Sequence, residues 1–144
     1  MQQYPFKNFH HVPVAAIYCL DPRFRTQHEQ FISNELSFKD FDQYVFPGGP
    51  KALVSETTRD VFLDAIQNVS VNLHHIEKII LIAHRDCGAY GGSTAFATPE
   101  AEKEAQTKDL QTAHKFLLER FPKISVNMFY AEIIGENVEF NPFE

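Results

Sequence analysis

Apolar residues fall into short unbroken runs, separated by longer stretches in which they recur every three or four positions. Residues 13–18 and 78–83 are of the first kind, with Val14-Ala15-Ala16-Ile17 and Ile79-Ile80-Leu81-Ile82 showing no polar alternation. A strand buried on both faces reads this way, and such strands belong to parallel sheets covered by helices. Residues 41–46 and 125–131 read as two more strands, the first stopped by Pro47-Gly48-Gly49-Pro50, which can extend neither strand nor helix. Residues 25–36 form a helix with a weak apolar face of Phe24, Phe31, Ile32 and Leu36. Over residues 56–74, Phe62, Ala65, Ile66, Val69 and Leu73 make one helical stripe, and Thr57 with Asp60 supplies a start signal like a capping box.

Thr98-Pro99-Glu100 opens a third helix, with threonine as cap, proline in the first turn and acids at the positive end of the dipole. Leu110, Ala113, Leu117 and Phe121 are its buried stripe, closed by Pro122. Gly135-Glu136-Asn137 turns the last strand back into Val138-Glu139-Phe140 as an antiparallel edge. The expected fold is α/β, a mostly parallel four-stranded sheet with an antiparallel edge strand and helices on both faces. No repeat, low-complexity tract or linker divides the chain, so residues 1–144 are expected to form a single domain.

Two of these strands end in chemistry. Cys19-Leu20-Asp21-Pro22-Arg23 follows the first, and His84-Arg85-Asp86-Cys87-Gly88 follows the 78–83 run. In an open parallel sheet, ligands collect beyond the carboxyl ends of the strands where strand order reverses. If these two strands are neighbours, Cys19, His84 and Cys87 emerge on one edge, and Gly88, Gly91 and Gly92 permit tight turns there. Two thiolates and one imidazole suit a single Zn2+ and leave a fourth position for water or substrate. Structural zinc modules usually offer ligands as two close pairs. A lone cysteine followed by an acid and a base at +2 and +4 favours a reactive site instead.

Charge counting leaves two arrangements open. Zinc with two thiolates and a neutral histidine is formally near neutral, so Asp21 as a fourth ligand would make an anion for Arg23 to compensate. Alternatively Arg23 holds Asp21 through its planar fork, and the metal stays free for water. A surface ion pair without function, worth under about 1 kcal/mol, is the plain alternative for the same two residues.

Bulk properties narrow the partners. A net charge of −6 argues against nucleic acid, which needs a basic face. No stretch approaches the roughly 20 apolar residues of a membrane span, and the Met1-Gln2-Gln3-Tyr4-Pro5 start lacks the features of a secretory signal. The default compartment is the cytoplasm, where a cysteine pair is more often metal-binding or catalytic than a disulfide. A Cys19–Cys87 disulfide and a metal-free redox pair remain the alternatives. His10-His11 and His74-His75 lack an acid or thiol at useful spacing and read as structural. Asp86 and Tyr90 border the site without an assignable role, and Phe140, Pro142 and Phe143 offer a surface for a second copy.

Together the two motifs, with Pro47-Gly48-Gly49 as a glycine turn, resemble the β-class carbonic anhydrases over residues 14–135. That resemblance implies one zinc per chain on Cys19, His84 and Cys87, with Asp21 and Arg23 as the dyad that gates and orients the nucleophile. It also implies reversible hydration of CO2 to bicarbonate through zinc-bound hydroxide, and a homodimer or higher homo-oligomer. The chain departs from the family at Pro22, where serine is usual, in a glycine turn without its arginine and asparagine, and in a short segment before the first strand. A hydrolase acting on COS or CS2 and a non-catalytic zinc module are the competing functions. Anionic sulfur ligands make zinc a weaker Lewis acid than three histidines, so the hydration rate is expected to improve at alkaline pH. A stopped-flow indicator assay checks this, and an acid-favoured profile would count against it.

Overall fold

The computed structural model describes residues 1–143. Five strands form one sheet: β1 (Val14–Cys19), β2 (Asp42–Phe46), β3 (Lys78–His84), β4 (Ser125–Ile134) and β5 (Asn137–Pro142), in the order β2-β1-β3-β4-β5. The first four are parallel, and β5 returns antiparallel on β4 at one edge, as the Gly135 turn predicts. Gly135 sits at φ 62, the left-handed region open to a residue without Cβ.

The uninterrupted apolar runs are explained by burial on both sides. Ala15, Ile17, Ile79 and Leu81 point into one core with Leu53, Leu63, Ile66, Leu110, Ala113 and Leu117. Val14, Ala16, Ile80 and Ile82 point into a second core with Phe24, Phe31 and Ile32. The first core is roofed by α2 (Arg59–Ala65) and α3 (Pro99–Arg120), the second by α1 (Arg25–Gln30). Each fully buried Ile or Leu contributes about 1.5–3 kcal/mol, so the central strands carry much of the fold.

The helices depart from the expected pattern in two places. Both α1 and α2 open into π-helical turns, over Phe31–Glu35 and Ile66–Val71, with N–H groups reaching back five residues from Leu36 to Phe31 and from His74 to Val69. The wider turn after Ile66 rotates the buried face, so Ser70 points inward while Val69 and Leu73, expected in the stripe, are exposed. Ser70 Oγ donates to Asp42 Oδ2 at 2.6 Å and meets Tyr44 Oη at 2.7 Å, while His74 Nδ1 lies 2.8 Å from Asp42. These bonds tie the helix end to β2 and reward the polar residue inside. The expected capping box also does not form. Thr58 is the N-cap, Thr57 pairs with Ser55, and the Thr58 hydroxyl donates to the Ala52 carbonyl at 2.6 Å. On α3 the Thr98 side chain does accept from Ala101 N, as expected.

Of the terminal residues offered as a surface for a second copy, Phe140 and Phe143 are half-buried and also pack within the chain, while Pro142 is exposed. Phe140 stacks on Phe31 at 4.2 Å, and Phe143 meets Tyr130 edge-on at 6.2 Å.

Strand order reverses between β1 and β3, because the chain leaves β1 for β2 on one side and returns to β3 on the other. Ile17 pairs with Leu81, so the carboxyl ends of β1 and β3 open side by side. The turn after β2 closes over this edge. Gly49, at φ 53, lies so close to β1 that a Cβ there would sit 2.6 Å from the Tyr18 carbonyl carbon and 2.8 Å from Cys19 N. Backbone atoms cannot yield as a flexible side chain would. Gly49→Ala is therefore expected to cost about 2–4 kcal/mol in urea unfolding and to lower metal uptake by displacing Cys19.

Candidate metal centre

Cys19 is the last residue of β1 and His84 the last of β3, each inside its strand rather than in the loop beyond. Cys87 follows in the loop, ahead of a short 3-10 turn over Gly88–Tyr90. All three are buried, and their ligating atoms lie within 4.8 Å of one another. Among the described residues this is the one group of three or more His, Cys, Asp or Glu side chains so arranged.

Both cysteines are free, with sulfurs 3.9 Å apart, far beyond the roughly 2.05 Å of a disulfide. Two zinc–sulfur bonds of about 2.3 Å at a tetrahedral angle would separate the sulfurs by about 3.8 Å. The two thiols are within hydrogen-bonding distance of each other, and either could be the donor. The hydrogen bond with Cys87 draws Cys19 well below the usual thiol range, against desolvation, while the same contact and burial push Cys87 up. The N–H of Gly48, which donates to Cys19 Sγ at 3.3 Å, works in the same direction on Cys19.

His84 is oriented by the carbonyl of its chain neighbour. Its Nδ1 lies 2.7 Å from the Arg85 carbonyl, which can only accept, so Nδ1 carries a proton and Nε2 is the ring nitrogen left for a ligand role. Nε2 is buried and has no partner. An unsatisfied buried polar atom costs about 1–3 kcal/mol, and a cation between the sulfurs and this nitrogen would remove that cost. The residues present therefore fit a zinc ion by donor type, spacing and an otherwise orphaned nitrogen.

Asp21 and Arg23 meet beside these donors. Arg23 donates from its backbone N to Asp21 Oδ1 at 2.9 Å, from Nε to both oxygens at 3.1 and 3.2 Å, and from Nη2 to Oδ2 at 2.6 Å. Hydrogen bonding to Arg23 holds the Asp21 carboxyl below the ordinary range. A cavity of about 410 Å³ opens on this group, lined by Cys19, Leu20, Asp21, Pro22, Arg23, Pro47, Gly88 and Ala89. Apart from the ion pair and the sulfur, its walls are apolar.

The supports under the site come from α3. Gln106 is buried and grips the His84 backbone twice, donating from Nε2 to the carbonyl at 2.9 Å and accepting from the N–H at 3.2 Å. Glu102, one turn earlier and 1% exposed, accepts from Asp86 N at 2.6 Å, Arg85 Nη1 at 2.7 Å and Ser93 Oγ at 2.8 Å. Arg85 also makes a two-pronged pair with Glu132 on β4, at 2.8 and 2.7 Å. Tyr90 ties the loop to the same helix through Asp109 at 2.6 Å. Glu102 and Gln106 were not among the expected site residues, although a signal existed. They extend the stripe Leu110, Ala113, Leu117 backward in steps of four, so the buried face of α3 turns polar where it passes beneath the loop. Elsewhere His74 is spent on Asp42. His28 is caged by Tyr18, Phe24 and Phe140, and burial depresses its pKa to about 3.

Comparison with known proteins agrees with the architecture. An uncharacterized protein of Rickettsia bellii is 31% identical over 134 residues, 90% of this chain and 82% of the relative. One of Rickettsia conorii is 27% identical over 135 residues, 90% of this chain and 72% of the relative. Among solved structures, a carbonic anhydrase from Glaciozyma antarctica superposes with a TM-score of 0.55 at 17% identity, over 88% of this chain and 80% of that one. The beta-carbonic anhydrase isoform I of Trichomonas vaginalis gives 0.54 at 13%, over 94% and 87%. These two share the fold. A family model described as "Putative carbonic anhydrase" matches residues 9–141, nearly the whole chain, and the protein belongs to that family.

Proposed function

We propose that the chain hydrates carbon dioxide reversibly to bicarbonate, with Cys19, His84 and Cys87 holding one zinc ion and Asp21 and Arg23 serving the reacting water. The observation that carries this reading is the engagement of Asp21. Its two oxygens take four contacts from Arg23, which favours a carboxylate kept off the metal and a coordination position left for chemistry. Bound zinc supplies the Lewis acidity that makes water nucleophilic near neutral pH.

The remaining work falls to the chain. Asp21 stays ionised because Arg23 favours its charged form, so it can accept a hydrogen bond from water in the cavity but cannot donate one. That one-way role turns a lone pair of the water toward the substrate carbon. Leu20, Pro22, Pro47 and Ala89 offer a linear apolar gas a surface with no competing hydrogen bonds. A carbon–oxygen bond forms, one proton leaves to solvent, and the bicarbonate anion departs past Arg23.

The chain is further proposed to act as a homodimer in the cytoplasm, whose reducing conditions suit two free thiols. No helix among the described residues is long and apolar enough to cross a membrane. Support for the dimer comes from β2, an edge strand with one side unpaired, where Val45 and Phe46 are exposed near Leu20. Light scattering at micromolar concentration is expected to return twice the 16.6 kDa chain mass or a multiple of it, and a monomer would refute the assembly.

The decisive measurement is zinc content with a CO2 hydration assay. Purified protein should carry about one zinc per chain, and Asp21→Ala should keep that zinc while losing about 10²-fold or more in rate. Zinc without hydration at any pH would leave a non-catalytic zinc protein.

A further inference from the structure

Asp21 occupies only part of the Arg23 guanidinium. The rest is taken by Asp86, which accepts from Nη1 on Oδ2 at 3.0 Å and from Nη2 on its backbone carbonyl at 3.0 Å. Asp86 lies between His84 and Cys87, so the group steadying Arg23 is carried by the segment that presents two of the three candidate donors. It is itself fixed on every polar side. Oδ1 accepts from Ser93 N at 2.8 Å, and its N–H donates to buried Glu102 at 2.6 Å. Its backbone sits at φ 58, a left-handed conformation that few residues except glycine, asparagine and aspartate adopt cheaply. Gly92 leaves room for it, since a Cβ there would meet Asp86 Oδ1 at 3.1 Å.

A loose surface pair would need none of this construction. Arg23 is half exposed, and with Asp21 as its sole partner the fork could swing into water. Asp21, two residues from Cys19, would then be free to take the fourth position on a cation. From this geometry we infer that Asp86 is a positioning residue. It locks the far edge of Arg23, Arg23 retains Asp21, and the metal keeps an open coordination position. The inference rests on the carbonic anhydrase reading of the site, and extends the Asp21–Arg23 pair to an Asp–Arg–Asp clamp anchored on α3.

Cobalt-loaded protein tests it, with azide as the probe of the open position and visible absorption as the readout. Asp86→Asn keeps the backbone preference, but its single acceptor oxygen cannot serve both Arg23 and Ser93. Asp86→Gly keeps the left-handed backbone and removes the carboxylate altogether. Both should load one cobalt per chain, while azide affinity falls about tenfold for the loss of a charge-assisted hydrogen bond. Adding Asp21→Asn to either should restore most of the azide affinity, because a neutral carboxamide competes for the metal far more weakly than a carboxylate. Variants that bind azide like wild type overturn the inference. So does a loss that Asp21→Asn fails to restore, since a merely loosened loop would not be rescued. Wild-type protein that takes up no cobalt, or takes cobalt but no azide, overturns the reading of the site itself and this inference with it.

Discussion

Parallel pairing of β1 with β3 is the constraint on which the site depends. Val14 to Ile17 run in register with Lys78 to Leu81, and that register delivers the Cys19 thiol and the His84 imidazole to one edge. Neither side chain is carried by a loop of its own. Their positions are set by backbone hydrogen bonds in the most buried part of the molecule, flanked by β2 and β4, which is why ligating atoms from two strands can meet within 4.8 Å. The same crossover that reverses strand order opens the crevice above them, so donors and cavity have one cause.

Beneath this edge runs a chain of charged groups that alternate in sign except at Asp86 and Glu102, which are joined through a backbone N–H. Asp21, Arg23, Asp86, Glu102, Arg85 and Glu132 are linked in turn, directly or through the Asp86 backbone. Burying Glu102 alone would cost several kcal/mol, and its compensation comes from Arg85, an N–H and a hydroxyl. Fully satisfied networks of this kind rigidify their surroundings, whereas partly satisfied ones are costly. The loop from His84 to Ser93 thus owes its shape to polar contacts with α3 and β4, while the strands that frame it owe theirs to hydrocarbon burial.

That division explains what could be read in the chain beforehand. Strands buried on both faces announce themselves as unbroken apolar runs, and Cys19, His84 and Cys87 stand out because thiols and imidazoles at strand ends are chemically distinctive. Thr98 with Pro99 marks a helix start by local geometry alone. Elements decided by tertiary partners were not legible. Ser70 replaces Val69 on the buried face only because Asp42 and Tyr44 wait across the gap, and no local spacing announces a π-turn. Asp86, Glu102 and Gln106 are ordinary polar residues in sequence, and their importance lies in what folding brings within 3 Å of them.

The separation of the candidate ligands has a consequence for how the protein matures. His84 and Cys87 are neighbours in the chain, but Cys19 lies 68 residues before Cys87, so an unfolded chain does not hold the complete set together. In small zinc modules the ligands are near neighbours, and the ion can organise the polypeptide around itself. Here the order would be inverted: with a donor on each of two paired strands, hydrocarbon collapse and sheet assembly would come first, and a cation held by these residues would be a late guest in a finished scaffold.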